Sequence, residues 1–235
     1  MNIDRIDFIS SYCDRWCERC GYTSRCSTFA AEAAIAMCGD DQQGLELAFG
    51  RPHPAGNAAA PIPEWLMEIE DAAKSATDAT EFRRVEDARD LRVRETTIIT
   101  LADAFAMVAH HWLAARAETL CESGDETVRE ALDIARHDAL FILVKLRRAL
   151  DGRDRHDRGE DVDDHPVQND WNGSAKIALI SVERSASAWD VIAQATGDDT
   201  PAVLASQLRD LKRQVESAFP HAWSFIRPGL DEPRR

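Results

Sequence analysis

Apolar residues recur every three or four positions through most of the chain, and this spacing predicts helices. Typical capping residues stand near the ends of the periodic segments, with Asp125 before one and Gly197 after another. Runs in which apolar and polar residues alternate, as in half-buried strands, are hard to find. The sequence therefore predicts an all-α protein, a helical bundle with helices over residues 64–92, 96–121, 125–150, 173–196 and 201–218.

The apolar stripes of these helices define the expected core. Gly152 is expected to end the third helix, because glycine is the usual residue just after a helix. Residues 151–170 hold almost no apolar side chains and are expected to form a solvated connection. The residues expected to pack together are Leu101, Phe105, Trp112, Leu140, Val144, Leu179, Trp189 and Leu208.

Proline divides the chain into regions. Four prolines between residues 52 and 63 exclude a regular element there, so residues 50–63 are expected to be a Pro-rich linker. The linker would separate a cysteine-rich N-terminal segment, residues 1–49, from the helical bundle, residues 64–219. Residues 220–235 are expected to be an irregular tail.

Composition and charge narrow the classes of function. The 235 residues are 44% hydrophobic, enough to bury a core, and 42 acidic against 28 basic residues give a net charge of -14. Such a charge repels nucleic acid and anionic lipid. Apolar runs fall short of a membrane span, and residues 1–5 lack the pattern of a secretory signal. The sequence thus predicts a cytoplasmic protein with no nucleic-acid or membrane partner, and a protein or redox partner stays open.

Four cysteines form a compact cluster near the N-terminus. Cys13, Cys17, Cys20 and Cys26 lie within fourteen residues, whereas Cys38 and Cys121 stand alone. Thiols in a reducing compartment are not held as disulfides, and four thiolates satisfy either tetrahedral zinc or the four irons of a 4Fe–4S cluster. The spacing predicts a metal site with these four ligands. Ordinary thiols or a redox pair are the alternatives.

Two resemblances involve this cluster. The Cys-x3-Cys-x2-Cys part resembles the cluster motif of radical S-adenosylmethionine enzymes over residues 13–20, although Cys26 supplies a fourth thiol and no alternation of strands and helices follows. The longer motif YCDRWCERC with TSRC at residues 23–26, NGSAK at residues 172–176 and Arg184-Ser185 resembles a bacterial family of helical proteins. That second resemblance spans most of the chain and implies no activity.

Polar residues also fall on apolar helix faces, seven positions apart. The pairs are Asp103 with His110, Asp138 with Lys145, and Lys176 with Glu183. A helix face that buries its apolar members carries such residues inward, so at least four of the six are expected to be buried and in mutual contact. They are candidate metal ligands, acid–base groups or anion holders, and a structural network of salt bridges is the alternative.

Three functions remain open at this point. The first is a metal-binding protein with an electron-transfer, accessory or structural role for the four-cysteine site. The second is an enzyme that acts through the polar residues between the helices. The third is a protein-interaction module whose N-terminal segment is stapled by zinc.

Overall fold

The computed structural model describes residues 5–6, 8–50, 79–122, 124–160 and 165–231. Every regular element in these ranges is helical, which confirms the prediction of an all-α protein. The chain forms two compact units, Met1–Ser10 with Arg15–Ala88, and Ser11–Asp14 with Arg89–Arg235. The α-helices are α1 (Ser27–Cys38), α2 (Asp41–Phe49), α3 (Ala79–Arg94), α4 (Thr97–Cys121), α5 (Glu126–Asp157), α6 (Asp170–Thr196) and α7 (Asp199–Ala218).

The first unit contains short 3-10 turns followed by the hairpin of α1 and α2. The Cys26 side chain caps α1 by accepting a hydrogen bond from the backbone N–H of Phe29, and Gly39 ends α1 in the left-handed conformation that glycine favours. A Cβ atom at Gly44 would lie 2.5 Å from Cα of Ile35. The two helices therefore approach each other as closely as a glycine allows.

The second unit is a four-helix bundle of α4 to α7. Each of these helices contacts the next along the chain, and α7 also contacts α4, so the ring closes around one core. Trp189 lies fully buried at its centre, and the Trp112 ring packs against it edge-on at 5.4 Å. The Trp112 indole N–H donates to Asp198, which caps α7.

The expected core is correct in most positions and wrong in two. Leu101 lies partly buried at the edge of the core. Leu140 and Val144 are 60% exposed, because successive helical residues turn by about 100° and both lie away from the side of α5 that buries Ile142 and Leu146. The expected core residues found buried are Phe105, Trp112, Leu179, Trp189 and Leu208.

Gly152 does not end its helix, as the sequence pattern had predicted. It is buried inside α5 beside Trp171, and a Cβ atom there would lie 3.5 Å from Cβ of Trp171, an ordinary van der Waals distance. The helix continues to Asp157 because its acidic side chains have basic partners, including Asp154 with Arg92 at 2.6 Å. The predicted connection over residues 151–170 is therefore shorter. Residues 51–63 of the predicted linker and 64–78 of the predicted first helix lie outside the described residues.

One helix of the described part, α4, is long and apolar enough to cross a membrane by length and composition. The sequence pattern predicts no such span. Phe105, Ala109 and Trp112 of α4 are buried in the bundle core, and a core helix meets the same criterion.

Candidate functional site

Residues Ser11–Asp14, here called the anchored segment, carry the first cysteine of the cluster and belong to the bundle unit. Nζ of Lys145 donates to the carbonyl of Ser11 at 3.1 Å. The Tyr12 hydroxyl donates to Asp170 at 3.2 Å, and Arg184 donates to the Asp14 carboxylate at 2.6 Å. Side chains of α5 and α6 therefore hold the Ser11 carbonyl and the side chains of both neighbours of Cys13.

The Tyr12 ring rests on a position that must be glycine. A Cβ atom at Gly173 would lie 2.4 Å from Cε1 of Tyr12, which is closer than two such atoms can approach. The Phe225 ring lies 4.7 Å from the Tyr12 ring, centroid to centroid. Phe225 follows a 3-10 turn, Ala222–Ser224, in the region predicted to be an irregular tail.

Arg184 is held from inside the bundle by Asp138. The Asp138 carboxylate is completely buried, and its two oxygens accept hydrogen bonds from Arg184 at 2.7 and 3.0 Å. Burial acts to lower the pKa of Arg184, but the hydrogen bonds to Asp138 and Asp14 outweigh it and hold that pKa above its ordinary value. Nδ1 of His137 also lies 2.9 Å from Asp138. Asp138 thus fixes the Arg184 guanidinium through Nε and Nη2, and Nη1 donates to Asp14.

Asp170 is held in the same way on the other side of the anchored segment. Arg148 donates to both of its oxygens, at 2.6 and 2.9 Å. The hydrogen bond to Asp170 holds the pKa of Arg148 above its ordinary value, against the effect of desolvation. The carboxylate that meets the Tyr12 hydroxyl therefore has a fixed position.

The predicted cluster of six buried polar residues does not form, and the expectation that at least four would be buried together is wrong. Asp103, His110 and Glu183 are exposed, and Glu183 pairs with Lys212 at 2.7 Å. A seven-residue spacing places two side chains on nearly the same line of a helix, but it does not determine whether that line is buried.

The other three candidates are held in the bundle by residues from distant parts of the chain. Asp138 and Lys145 are buried. Lys176 is mostly buried and donates to the Phe225 carbonyl and to Asp231, both at 2.6 Å. Burial was thus predicted correctly for Asp138 and Lys145, but their contacts with Arg184 and Ser11 were not predicted.

Asp103 and His110 line separate surface cavities between α4 and α5. His110 lines a cavity of about 610 Å³ together with Glu118, Cys121 and Arg136. Asp103 lines one of about 450 Å³. Both side chains are accessible, but the structure does not bring them to one site.

All six cysteines are free thiols and partly buried. Sγ of Cys20 accepts a hydrogen bond from the backbone N–H of Tyr22, and Sγ of Cys26 accepts one from Phe29, both at 3.4 Å. Within the described ranges, no group of three or more His, Cys, Asp or Glu side chains is arranged to hold a metal ion. The described residues therefore do not show the four cysteine sulfurs gathered around a common point, the arrangement that the sequence predicts.

Of the residues that contact the anchored segment, Lys145 was a candidate from the sequence, whereas Asp170, Gly173 and Arg184 were not. Tyr12, Asp14, Gly173 and Arg184 were nevertheless all within the motifs that carry the resemblance to the bacterial family. In the structure, residues from these separate segments meet around the anchored segment.

Comparisons with protein-family models, with curated proteins and with solved structures find no match to this chain.

Proposed function

We propose that the chain binds one metal centre, zinc or a 4Fe–4S cluster, through Cys13, Cys17, Cys20 and Cys26, and that its bundle holds the start of this motif in place. The observation that carries the proposal is the anchoring of both neighbours of Cys13, Tyr12 and Asp14, to α6. Cys13 itself stays partly exposed. A ligand needs this combination of a fixed backbone and an accessible thiol.

The surroundings of two other sulfurs support thiolate chemistry. Cys20 and Cys26 each accept a backbone N–H, the kind of hydrogen bond that stabilises thiolate ligands and tunes a cluster. Arg19, whose guanidinium lies 4.0 Å from the Trp16 ring centroid, adds positive charge within the motif. Both features lower the cost of gathering several negative sulfurs.

The donor set fits such a centre in number and kind, but its sulfurs must move together when the metal binds. Chain length permits this, since the spacings limit the Cα atoms of Cys13 and Cys17 to about 14 Å apart, and those of Cys17 and Cys20 to about 11 Å. Thiolate sites commonly fold as they bind metal. A bound zinc would supply a crosslink, and an iron–sulfur cluster would supply an electron-transfer centre.

Metal analysis of the full chain, purified without oxygen, tests the proposal. We expect one zinc or four iron atoms per chain, with broad visible absorbance in the second case. Cys17→Ser should abolish the metal, and Cys38→Ser, which changes a cysteine outside the motif, should leave it unchanged. Equal metal content in the two variants would contradict the proposal.

Hydrogen exchange adds a second readout. In the Cys17→Ser variant, residues 1–30 should exchange faster while α4 to α7 keep their protection, because the bundle has its own core. Loss of protection throughout the bundle would mean that the cysteine motif is integral to the core.

The metal found decides the role. A redox-active cluster supports electron transfer or an accessory role, and colourless protein with stoichiometric zinc supports a structural one, including a zinc-stapled interaction module.

A further inference from the structure

We propose that the surface holding the anchored segment is a peptide-recognition site for a tyrosine followed two residues later by a carboxylate, and that a second copy of the chain donates this peptide by exchange. The recognising groups are Lys145, Asp170, Gly173, Arg184 and Phe225. The proposal does not depend on the metal centre.

The contacts select particular side chains and would not accept every extended peptide. The aromatic ring needs the space above Gly173 and the face of Phe225, and the hydroxyl needs Asp170. Arg184 selects a carboxylate two residues later, while Lys145 donates to a main-chain carbonyl of the segment. One aromatic, one acidic and one backbone contact together define a short sequence motif.

The recognising groups are held by the bundle itself. Asp138 is fully buried and uses both oxygens on Arg184, so the guanidinium keeps its orientation whether or not Asp14 is present. Arg148 makes a bidentate pair with Asp170, and both of these side chains are partly exposed. Asp138 and Arg148 are therefore positioning residues, and a surface held ready in this way loses little entropy on binding a peptide.

The backbone on both sides of the anchored segment favours exchange. Phe8 and Arg15 both have φ of 60°, a left-handed conformation that is strained for a residue other than glycine. Release of the segment relieves this strain, and strained connections favour exchange of an element between copies. The contacts described above are made by residues 11, 12 and 14, so the same segment of a second copy can make them.

Two full-length variants test the exchange. The segment variant, Tyr12→Ala with Asp14→Ala, keeps the recognising surface. The surface variant, Gly173→Ala with Arg184→Ala, keeps the segment. Each should be monomeric in sedimentation velocity, and an equal mixture at about 100 µM should form a 1:1 complex, because the surface of the first accepts the segment of the second. Absence of that complex between two folded variants would overturn exchange.

A labelled peptide of residues 8–16, with serine in place of Cys13 to prevent disulfides, tests recognition separately and does not need the surface variant to fold. Fluorescence anisotropy should show binding to the segment variant and at least about tenfold weaker binding to the wild-type chain, whose surface is occupied in cis. Peptides with Tyr12→Phe or Asp14→Asn should bind less tightly. Equal binding of a scrambled peptide, or no binding to the folded segment variant, would overturn recognition. Metal content is measured independently, so this proposal and the proposed function can fail separately.

Discussion

The bundle and the first unit, Met1–Ser10 with Arg15–Ala88, are ordered by different means. The first unit is called the cysteine region below. In the bundle, side chains such as Phe105, Leu132 and Trp189 are fully buried. In the described part of the other unit, the buried hydrophobic side chains are Ile9 and Ala34, and 3-10 turns and side-chain caps shape the chain. A region with so little apolar burial would gain stability from a crosslink, such as the metal centre proposed for the four cysteines. Hydrophobic burial explains the order of the bundle, whereas turns and side-chain caps shape the cysteine region.

The largest expected effect tests burial within one helix of the bundle. Leu132 and Leu140 both lie on α5, but the first is 0% and the second 60% exposed. Leu132→Ala should lower the free energy of unfolding by about 2–5 kcal/mol, since it removes a buried side chain and leaves a cavity. Leu140→Ala should change it by less than about 0.5 kcal/mol. Denaturant unfolding measures both, and similar losses would show that Leu140 is buried in solution.

The next effect concerns the charges beside the anchored segment. Arg184→Met leaves the fully buried Asp138 without its bidentate partner, so we expect a loss of about 3 kcal/mol. Asp14→Asn removes only the half-exposed partner of Arg184 and should cost less than about 1 kcal/mol. Chemical unfolding of the two variants is the measurement. A larger loss for Asp14→Asn would place the main stabilisation in the anchored segment rather than in the bundle.

The sequence predicted the bundle better than its surface. Helical periodicity located α4, α6 and α7 to within a few residues, because each buries a continuous stripe. It failed at Gly152, which lies buried inside α5 beside Trp171 rather than at a helix end. It also failed at Leu140 and Val144, because the sequence alone does not distinguish an apolar residue on an exposed helix face from one on a buried face.

The candidate site was less accessible to sequence analysis. A seven-residue spacing identified Asp138 and Lys145 as inward-facing, but it carries no information about partners elsewhere in the chain. Asp14 and Arg184, for example, are 170 residues apart in sequence. Local pattern predicts which residues point inward, and only the tertiary fold determines what they meet.

A smaller effect tests the packing of the cysteine region. A Cβ atom at Gly44 would lie 2.5 Å from Cα of Ile35, while one at Gly21 meets nothing within 4 Å. Gly44→Ala gains helix propensity but forces α1 and α2 apart, and we expect a net local loss of about 1–2 kcal/mol. Hydrogen exchange of residues 27–49 should therefore accelerate while the bundle stays unchanged. Gly21→Ala is the matched control, and faster exchange in that variant would contradict the packing explanation.

The smallest effect returns to the bundle and depends on pH. Burial acts to raise the pKa of Asp231, but hydrogen bonds from Arg227 and Lys176 outweigh it and hold that pKa well below its ordinary value of 3.8. The unfolded chain therefore takes up this proton more readily than the folded one. The stabilisation is complete above pH 3.8 and decreases as the pH falls below that value. Asp231→Asn should cost about 1 kcal/mol at neutral pH and less at about pH 3, measured by urea unfolding. Lys176→Met removes one partner of the carboxylate and should therefore weaken this pH dependence. If the loss caused by Asp231→Asn stays constant from neutral pH to about pH 3, the stabilisation comes from packing and not from charge.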